Sequence, residues 1–446
     1  MWSPAILVAL AVAVFLVRRA FTSRRSLPLP PGPKPSLLWG NLLDIPAVAP
    51  WKAFKRYSES SGPLVFLSLP TQPTIIINSA KAAMDLLDKR SQIYSDRLLT
   101  VMDELAFVAI ILQVVYGKKI NSLDDDYLRL VNKSMEGLSQ QKVPGAFWVE
   151  YFPYLKHIPS WVPGARFKQI AEYYKPYVES MINQPFDEVI AAEAEGKASP
   201  SVTRRLVQEL QLQPGKNRVY SPEEKTARNV TGIAYAAADT TTSAASSFLT
   251  AMAMFPEVQA KARAELDKYV GPDRLPDFDN YDDLVYIRAI TLEAMRWIPV
   301  VPLGLPHRVM QDDEYEGCLI PKGTIIISNA WAMLRNPEDY PEPERFNPDR
   351  FLKDGKLNRD VRDPTTMAFG FGRRYVLQSA FFFRQPTILH VFEIHPGVDD
   401  SGKPMELNME QSTGLVTFPK TIPNGLKPRS ATAEKLIREA ALDLDE

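Results

Sequence analysis

The sequence predicts a mainly α protein with a small β lobe, and three observations carry that expectation. Arg228–Phe255 runs 28 residues without a proline and is closed by Pro256. Two further segments, Glu257–Val270 and Leu284–Trp297, carry helical spacing. The β-branched runs are few and short: Leu64–Leu69 and Thr74–Asn78, interrupted by Pro70 and Pro73, and Ile325–Asn329 after the turn Pro321-Lys322-Gly323. Such a pattern makes a helical body with a minor sheet contributed from both ends of the chain.

The elements follow in order. Trp2–Val17 is 16 residues without a charge, followed by Arg18-Arg19 and Arg24-Arg25. About 20 residues span a bilayer, and Phe21 with snorkelling arginines covers the deficit. Residues 1–21 are therefore expected to form an N-terminal transmembrane helix, with the arginine side cytoplasmic. A cleaved signal peptide competes with this reading, but no small-x-small site follows the apolar run. Residues 22–35, with Pro28-Leu-Pro-Pro-Gly-Pro33, read as a basic and proline-rich linker. Ala80–Lys89 and Leu123–Leu138 have helical spacing. No boundary is visible between Pro35 and Arg429, so residues 36–430 read as one domain. Residues 431–446 form a charged tail, either an exposed helix or a disordered end.

Composition narrows the function. The 446 residues carry 52 Lys+Arg against 53 Asp+Glu, a net charge of −1. That balance offers nothing to nucleic acid. Cys318 is the sole cysteine, which leaves no intrachain disulfide and no cysteine-based metal cluster. The four histidines, His157, His307, His390 and His395, show no metal-binding spacing, so no metal ligand is assigned. No GxSxG elbow or P-loop is present. Phe369-Gly-Phe-Gly-Arg-Arg374 is glycine-rich but lacks the strand-to-helix setting of a nucleotide fingerprint.

Three pieces stand out. Ala236-Ala-Ala-Asp239-Thr240-Thr241 places an acid and hydroxyls in the middle of the longest helix. There they serve either as groups bonding back to their own helix or as an acid–alcohol pair delivering protons to a buried ligand. Glu293-Ala-Met-Arg296 places opposite charges on one helix face. Phe346-Asn-Pro-Asp-Arg350-Phe351 offers an arginine that can join them in a three-membered network.

The order of these pieces is more specific than any of them. Anchor, PPGP, ADTT, ExxR, PxRF and FGFGRR, in that order, resemble a cytochrome P-450, the haem-thiolate monooxygenase family. The wording of Pro302–Phe351 resembles its fungal, microsomal branch of secondary metabolism. The resemblance implies a helical prism with a small β lobe around haem b. It also implies electrons from NADPH through a cytochrome reductase, a hydrophobic small-molecule substrate, and a cytoplasmic body on the endoplasmic reticulum membrane. Residue by residue, Thr240 and Asp239 match the oxygen-protonating pair. Glu293, Arg296 and Arg350 match the structural network, and Arg374 and His307 match haem-propionate donors.

The departures are equally specific. Where the family has cysteine after Phe-x-x-Gly-x-Arg-x, this chain has Val376, and Gln378 replaces the following glycine. Residues 375–387 are atypical, and likeness resumes at Leu389-His-Val-Phe-Glu-Ile-His395. Near 105–110 the chain passes directly to Ile110–Gly117, so the helix carrying Trp-x-x-x-Arg is missing; Trp331 to Arg335 lies in the wrong place. Ala237 stands where the family has glycine. The fold is thus expected to be incomplete and monooxygenation impaired. The alternative is a non-catalytic membrane-anchored pseudoenzyme, or a mis-spliced product, binding an apolar ligand or haem weakly.

Overall fold

The computed structural model describes residues 27–37, 39–70, 72–97, 147–162, 165–215, 220–374, 381–399 and 401–443, with scattered positions between 116 and 136. At 232–239, 374, 381–384 and 441–443 only the backbone is described. The expected anchor, residues 1–21, lies outside the described residues. Among the described residues no helix is long and apolar enough to cross a membrane. The chain divides into two compact units that interleave along the sequence. The first comprises residues 1–98, 303–333 and 370–375; the second comprises 99–302, 334–369 and 376–446. Interleaving explains why no single boundary shows in the linear sequence.

The first unit holds helix α1, Pro50–Ser61, and a five-stranded sheet. Its strands are β1 (Leu64–Leu67), β2 (Thr74–Ile77), β3 (Asp96–Arg97), β4 (His307–Arg308) and β7 (Ile325–Ser328), in the order β1-β2-β7-β4-β3. Strands β2 and β7 are parallel, with Ile76 opposite Ile327; the other pairs are antiparallel. Ile75, Ile76, Ile77 and Ile326 are fully buried, so β2 reads as a continuous apolar run rather than an alternating one. β5 (Asp313–Tyr315) and β6 (Cys318–Ile320) form a separate hairpin with Cys318 opposite Tyr315. Residues 80–88 are helical, continuing from an α-turn into a π-turn at Met84–Asp88.

The second unit is helical. Its main elements are α2 (Arg166–Ala194), α3 (Val202–Glu209), α4 (Pro222–Met254), α5 (Pro256–Tyr269), α6 (Val285–Trp297), α7 (Phe381–Val391) and α8 (Ala431–Asp443). Short hairpins β8–β9 (Leu352–Lys353, Lys356–Leu357) and β10–β11 (Phe392–His395, Gly425–Pro428) complete it. Helix α4 starts six residues before the expected Arg228. Pro222 is its first residue, where the missing N–H is harmless, and the Ser221 hydroxyl caps the Glu224 amide at 3.1 Å. The tail is a helix, and Ala433 on it is buried.

Two apolar clusters support this unit. One joins Phe248 and Met252 of α4 to Leu266 of α5, Ile290 and Trp297 of α6, Leu389 of α7 and Ile394 of β10. The other joins Met181 and Phe186 of α2 to Val207 of α3, Ala227 of α4 and Tyr116. Gln259 of α5 ties β10 down as a neighbouring strand would. It donates to the Ile394 carbonyl at 2.9 Å and accepts from the Ile394 amide at 2.9 Å.

Candidate functional site

The brace at the end of α6 has the most complete geometry. Glu293 and Arg296 are three residues apart on one face, and both are fully buried. Arg296 Nε lies 2.7 Å from Glu293 Oε2, and Arg296 Nη2 lies 2.9 Å from Oε1. The rest of the guanidinium donates to main-chain carbonyls of Leu334 (3.1 Å), Pro343 (2.8 Å) and Arg345 (3.3 Å). Arg350 Nε sits 3.2 Å from Glu293 Oε2 but off the line of a hydrogen bond, so this contact is an ion pair. Arg350 then donates to the carbonyls of Pro341 (2.7 Å), Glu342 (3.4 Å) and Arg345 (3.3 Å). The Asn347 amide donates to Glu293 Oε1 at 2.7 Å. Burial lowers the Arg350 pKa, and the Glu293 charge opposes that fall. One carboxylate therefore serves two guanidinium groups, and both clamp the proline-dense loop 334–350 by its backbone.

Arg335, from the discounted Trp331–Arg335 spacing, donates to the carbonyl of Trp297 at the end of α6. Burial pushes its pKa down to about 10, with Glu344 opposing.

Thr240 lies half-buried in the middle of α4. The side chain of Asp239 lies outside the described residues. Three residues on, Ser243 shares the face of Thr240. Its buried hydroxyl donates to the carbonyl of Thr417 at 2.5 Å. The Thr417 amide donates to Val300 O at 2.9 Å and its hydroxyl to Pro299 O at 3.1 Å. Gln411 donates to Thr417 Oγ1 at 2.9 Å. The segment after α6 and the loop 411–417 are thus stitched to α4 one turn from Thr240. Sequence reasoning missed Ser243, Gln411 and Thr417. The one available signal was a hydroxyl residue placed on the Thr240 face.

In the first unit His307 is buried on β4, with Nδ1 2.6 Å from the Tyr94 carbonyl. That contact requires the Nδ1–H tautomer. Arg374 ends a one-turn helix, Gly372–Arg374, and its side chain lies outside the described residues. Gly372 holds this loop: its amide donates to Asp88 Oδ1, and φ is +65°. A Cβ on Gly372 would lie 2.2 Å from the Leu87 carbonyl oxygen. Only glycine fits there.

The haem implied by the resemblance requires a thiolate donor directly after this loop. Val376, at that position, lies outside the described residues, and its side chain has no donor atom. The sole thiol, Cys318, is part-exposed on the β5–β6 hairpin and paired across it with Tyr315. The residues present therefore do not fit a thiolate-ligated haem.

Comparison with known proteins completes the picture. Residues 100–375 match the family model described as cytochrome P-450. The chain is 34% identical to the cytochrome P-450 monooxygenase COX2 of Coprinopsis cinerea, across 92% of this chain and 91% of the relative. It is 32% identical to the tryptamine 4-monooxygenase of Psilocybe cyanescens, across 90% of this chain and 93% of the relative. The Coprinopsis alignment spans 482 positions against 446 residues here, so it includes at least 36 positions with no counterpart in this chain. A match over most of the chain, to the family model and to fungal relatives alike, places this chain in the cytochrome P-450 family.

Proposed function

We propose that this chain carries the scaffold of a fungal secondary-metabolism monooxygenase, anchored in the endoplasmic reticulum by residues 1–21 with its body in the cytoplasm. We further propose that the chain as it stands does not perform thiolate-dependent oxygenation. Family membership supports the first part. Members of this family use haem, take electrons from a reductase and act on hydrophobic molecules. The replacement of the thiolate position by Val376, with Cys318 committed to a hairpin, is the single observation that carries the second.

The missing positions point the same way. At least 36 alignment positions have no counterpart here, and we assign them to the break near 105–110 and the atypical 375–387 segment. Thr240 and the brace Glu293–Arg296–Arg350 lie between those two breaks, and the brace is closed by its ion pairs. Loss of whole segments, rather than gradual drift, fits altered splicing, a wrong gene model or a decayed gene.

The test is the spectrum of the reduced, carbon-monoxide-bound protein in microsomes containing NADPH and reductase. The expected result is absence of the red-shifted Soret band of thiolate ligation. Its presence in the 446-residue chain would overturn the second part of the proposal. Transcripts read across residues 105–110 and 374–388 test the splicing origin: exons restoring Cys-x-Gly and Trp-x-x-x-Arg are expected there.

A further inference from the structure

Helix α2 carries a stripe of polar and ring-bearing residues along one face. Tyr177, Ser180, Gln184, Glu188 and Ala191 recur every three or four positions, so they lie one above the other. Residues 126–130 run beside the first half of that stripe. Tyr127 and Leu130 are half-buried there and pack on the apolar cluster that joins α2 to α4, which fixes them as a wall. Tyr127 is also tied to α2 at its polar end. Its hydroxyl donates to Glu188 Oε1, and Gln184 Nε2 donates to the same oxygen at 3.2 Å.

Between that wall and the helix lies a cavity of about 390 Å³. Tyr127, Leu130, Pro176 and Tyr177 give it apolar and aromatic surface, and Asp126, Ser180 and Gln184 give it polar surface. Ser180 and Gln184 also line a more open groove that continues along α2 past Glu179, Asp187 and Glu188. Among the described residues, none that lines either part is a lysine or an arginine. Four carboxylates therefore line one continuous space.

Neighbouring positive charge does not cancel them. Arg228 donates to Asp187 Oδ1, but it is buried between the rings of Phe186 and Tyr220. Glu224, equally buried, is its counter-charge at 2.9 Å. Arg228 and Glu224 together are neutral, so the charge of Asp187 is left over. Arg129 on Asp126 and Lys175 on Glu179 are exposed pairs, the second at 3.7 Å. Such pairs contribute little and give way to another cation.

The cavity falls within the roughly 300–1,000 Å³ usual for small-molecule sites. Tyrosine faces also attract cations. We propose that it binds a small amphipathic amine, with an aromatic or cyclic apolar body between Tyr127 and Tyr177 and the ammonium group toward Asp126 and Glu179. The site uses none of Thr240, His307, Arg374 or the Glu293 brace. It is therefore independent of haem and serves a chain that does not oxygenate.

The test uses the full chain in phosphatidylcholine nanodiscs and 2-phenylethylammonium as the probe, with empty nanodiscs to subtract partition into lipid. Equilibrium dialysis is expected to show saturable binding of one amine per chain, with a dissociation constant of about 1 mM or tighter. 2-Phenylethanol, the same body without the charge, should bind at least about tenfold more weakly. Ser180→Arg puts a cation where cavity and groove meet and should weaken amine binding by at least about tenfold. The double variant Asp126→Asn, Glu179→Gln should do the same with an unchanged melting temperature, since both side chains are exposed; it decides the matter if Ser180→Arg does not fold. Glu338→Gln, exposed on a loop outside the site, should bind like the parent. Absence of saturable binding overturns the proposal. Equal affinity for the alcohol also overturns it, because the cavity would then select no charge. So does amine binding that survives both Ser180→Arg and the double variant, because the amine would then sit elsewhere.

Discussion

Glu293→Gln removes the one anion shared by Arg296 and Arg350. The carboxylate accepts three donors within 3 Å, from Arg296 Nε, Arg296 Nη2 and the Asn347 amide. With glutamine in place, two guanidinium groups remain in a buried site without a counter-charge, and one amide N–H₂ must face donors. Breaking a buried pair in this way costs about 3–5 kcal/mol. On the scale of about 2–4 °C per kcal/mol for domains of 150–250 residues, the melting temperature falls by about 6–20 °C. Arg350→Ala should do less. It leaves Glu293–Arg296 as a neutral pair and gives up bonds to three carbonyls at the rim, a loss of about 1–2 kcal/mol. Thermal unfolding of the detergent-solubilised full chain by circular dichroism measures both. A Glu293→Gln protein melting within 2 °C of the parent would refute the shared-anion argument. So would an Arg350→Ala protein less stable than Glu293→Gln.

Three further outcomes are expected. Gly372→Ala should destabilise more than Gly370→Ala: both have positive φ, but only at 372 does a Cβ meet backbone, and strain alone costs about 1–2 kcal/mol; comparative melting decides. His390 is buried on α7, and burial first, then Arg429, lowers its pKa from the usual 6.5. Stability should be full above pH 6.5, fall as the pH drops below it, and level off beneath the depressed folded value; His390→Gln should flatten that slope in pH-dependent denaturant titrations. Asn229, exposed on α4 in the sequon Asn229-Val-Thr231, should stay unglycosylated in a eukaryotic host, as mass spectrometry of the intact chain would show.

What the sequence disclosed and what it concealed have physical reasons. The proline-free core of α4 was legible, but Pro222 looked like a breaker because its role as first helical residue depends on the Ser221 cap. Helix α2 was invisible because Pro176 and Pro185 lie inside it. Each removes one backbone bond, and packing of Met181, Phe186 and Ile190 carries the helix through. Strands β3 and β4, two residues each, are too short to show any period. The motif order singled out Glu293, Arg296 and Arg350 together, since each residue type is informative. Gln259 against Ile394, and Ser243 against Thr417, were not legible. A side chain acting as a strand edge, or bonding to a carbonyl 174 positions away, leaves no local pattern.

Apart from Glu293, the acceptors used by Arg296 and Arg350 are main-chain carbonyls, from Leu334 and from Pro341, Glu342, Pro343 and Arg345. Every residue type supplies that oxygen. The side chains of this loop are therefore open to substitution over evolutionary time with the arginines still satisfied. Its length is not open. Inserting or deleting one residue between 335 and 345 would shift the acceptors out of phase with both guanidinium forks. Natural variation along this loop should accordingly appear as substitutions and not as gaps.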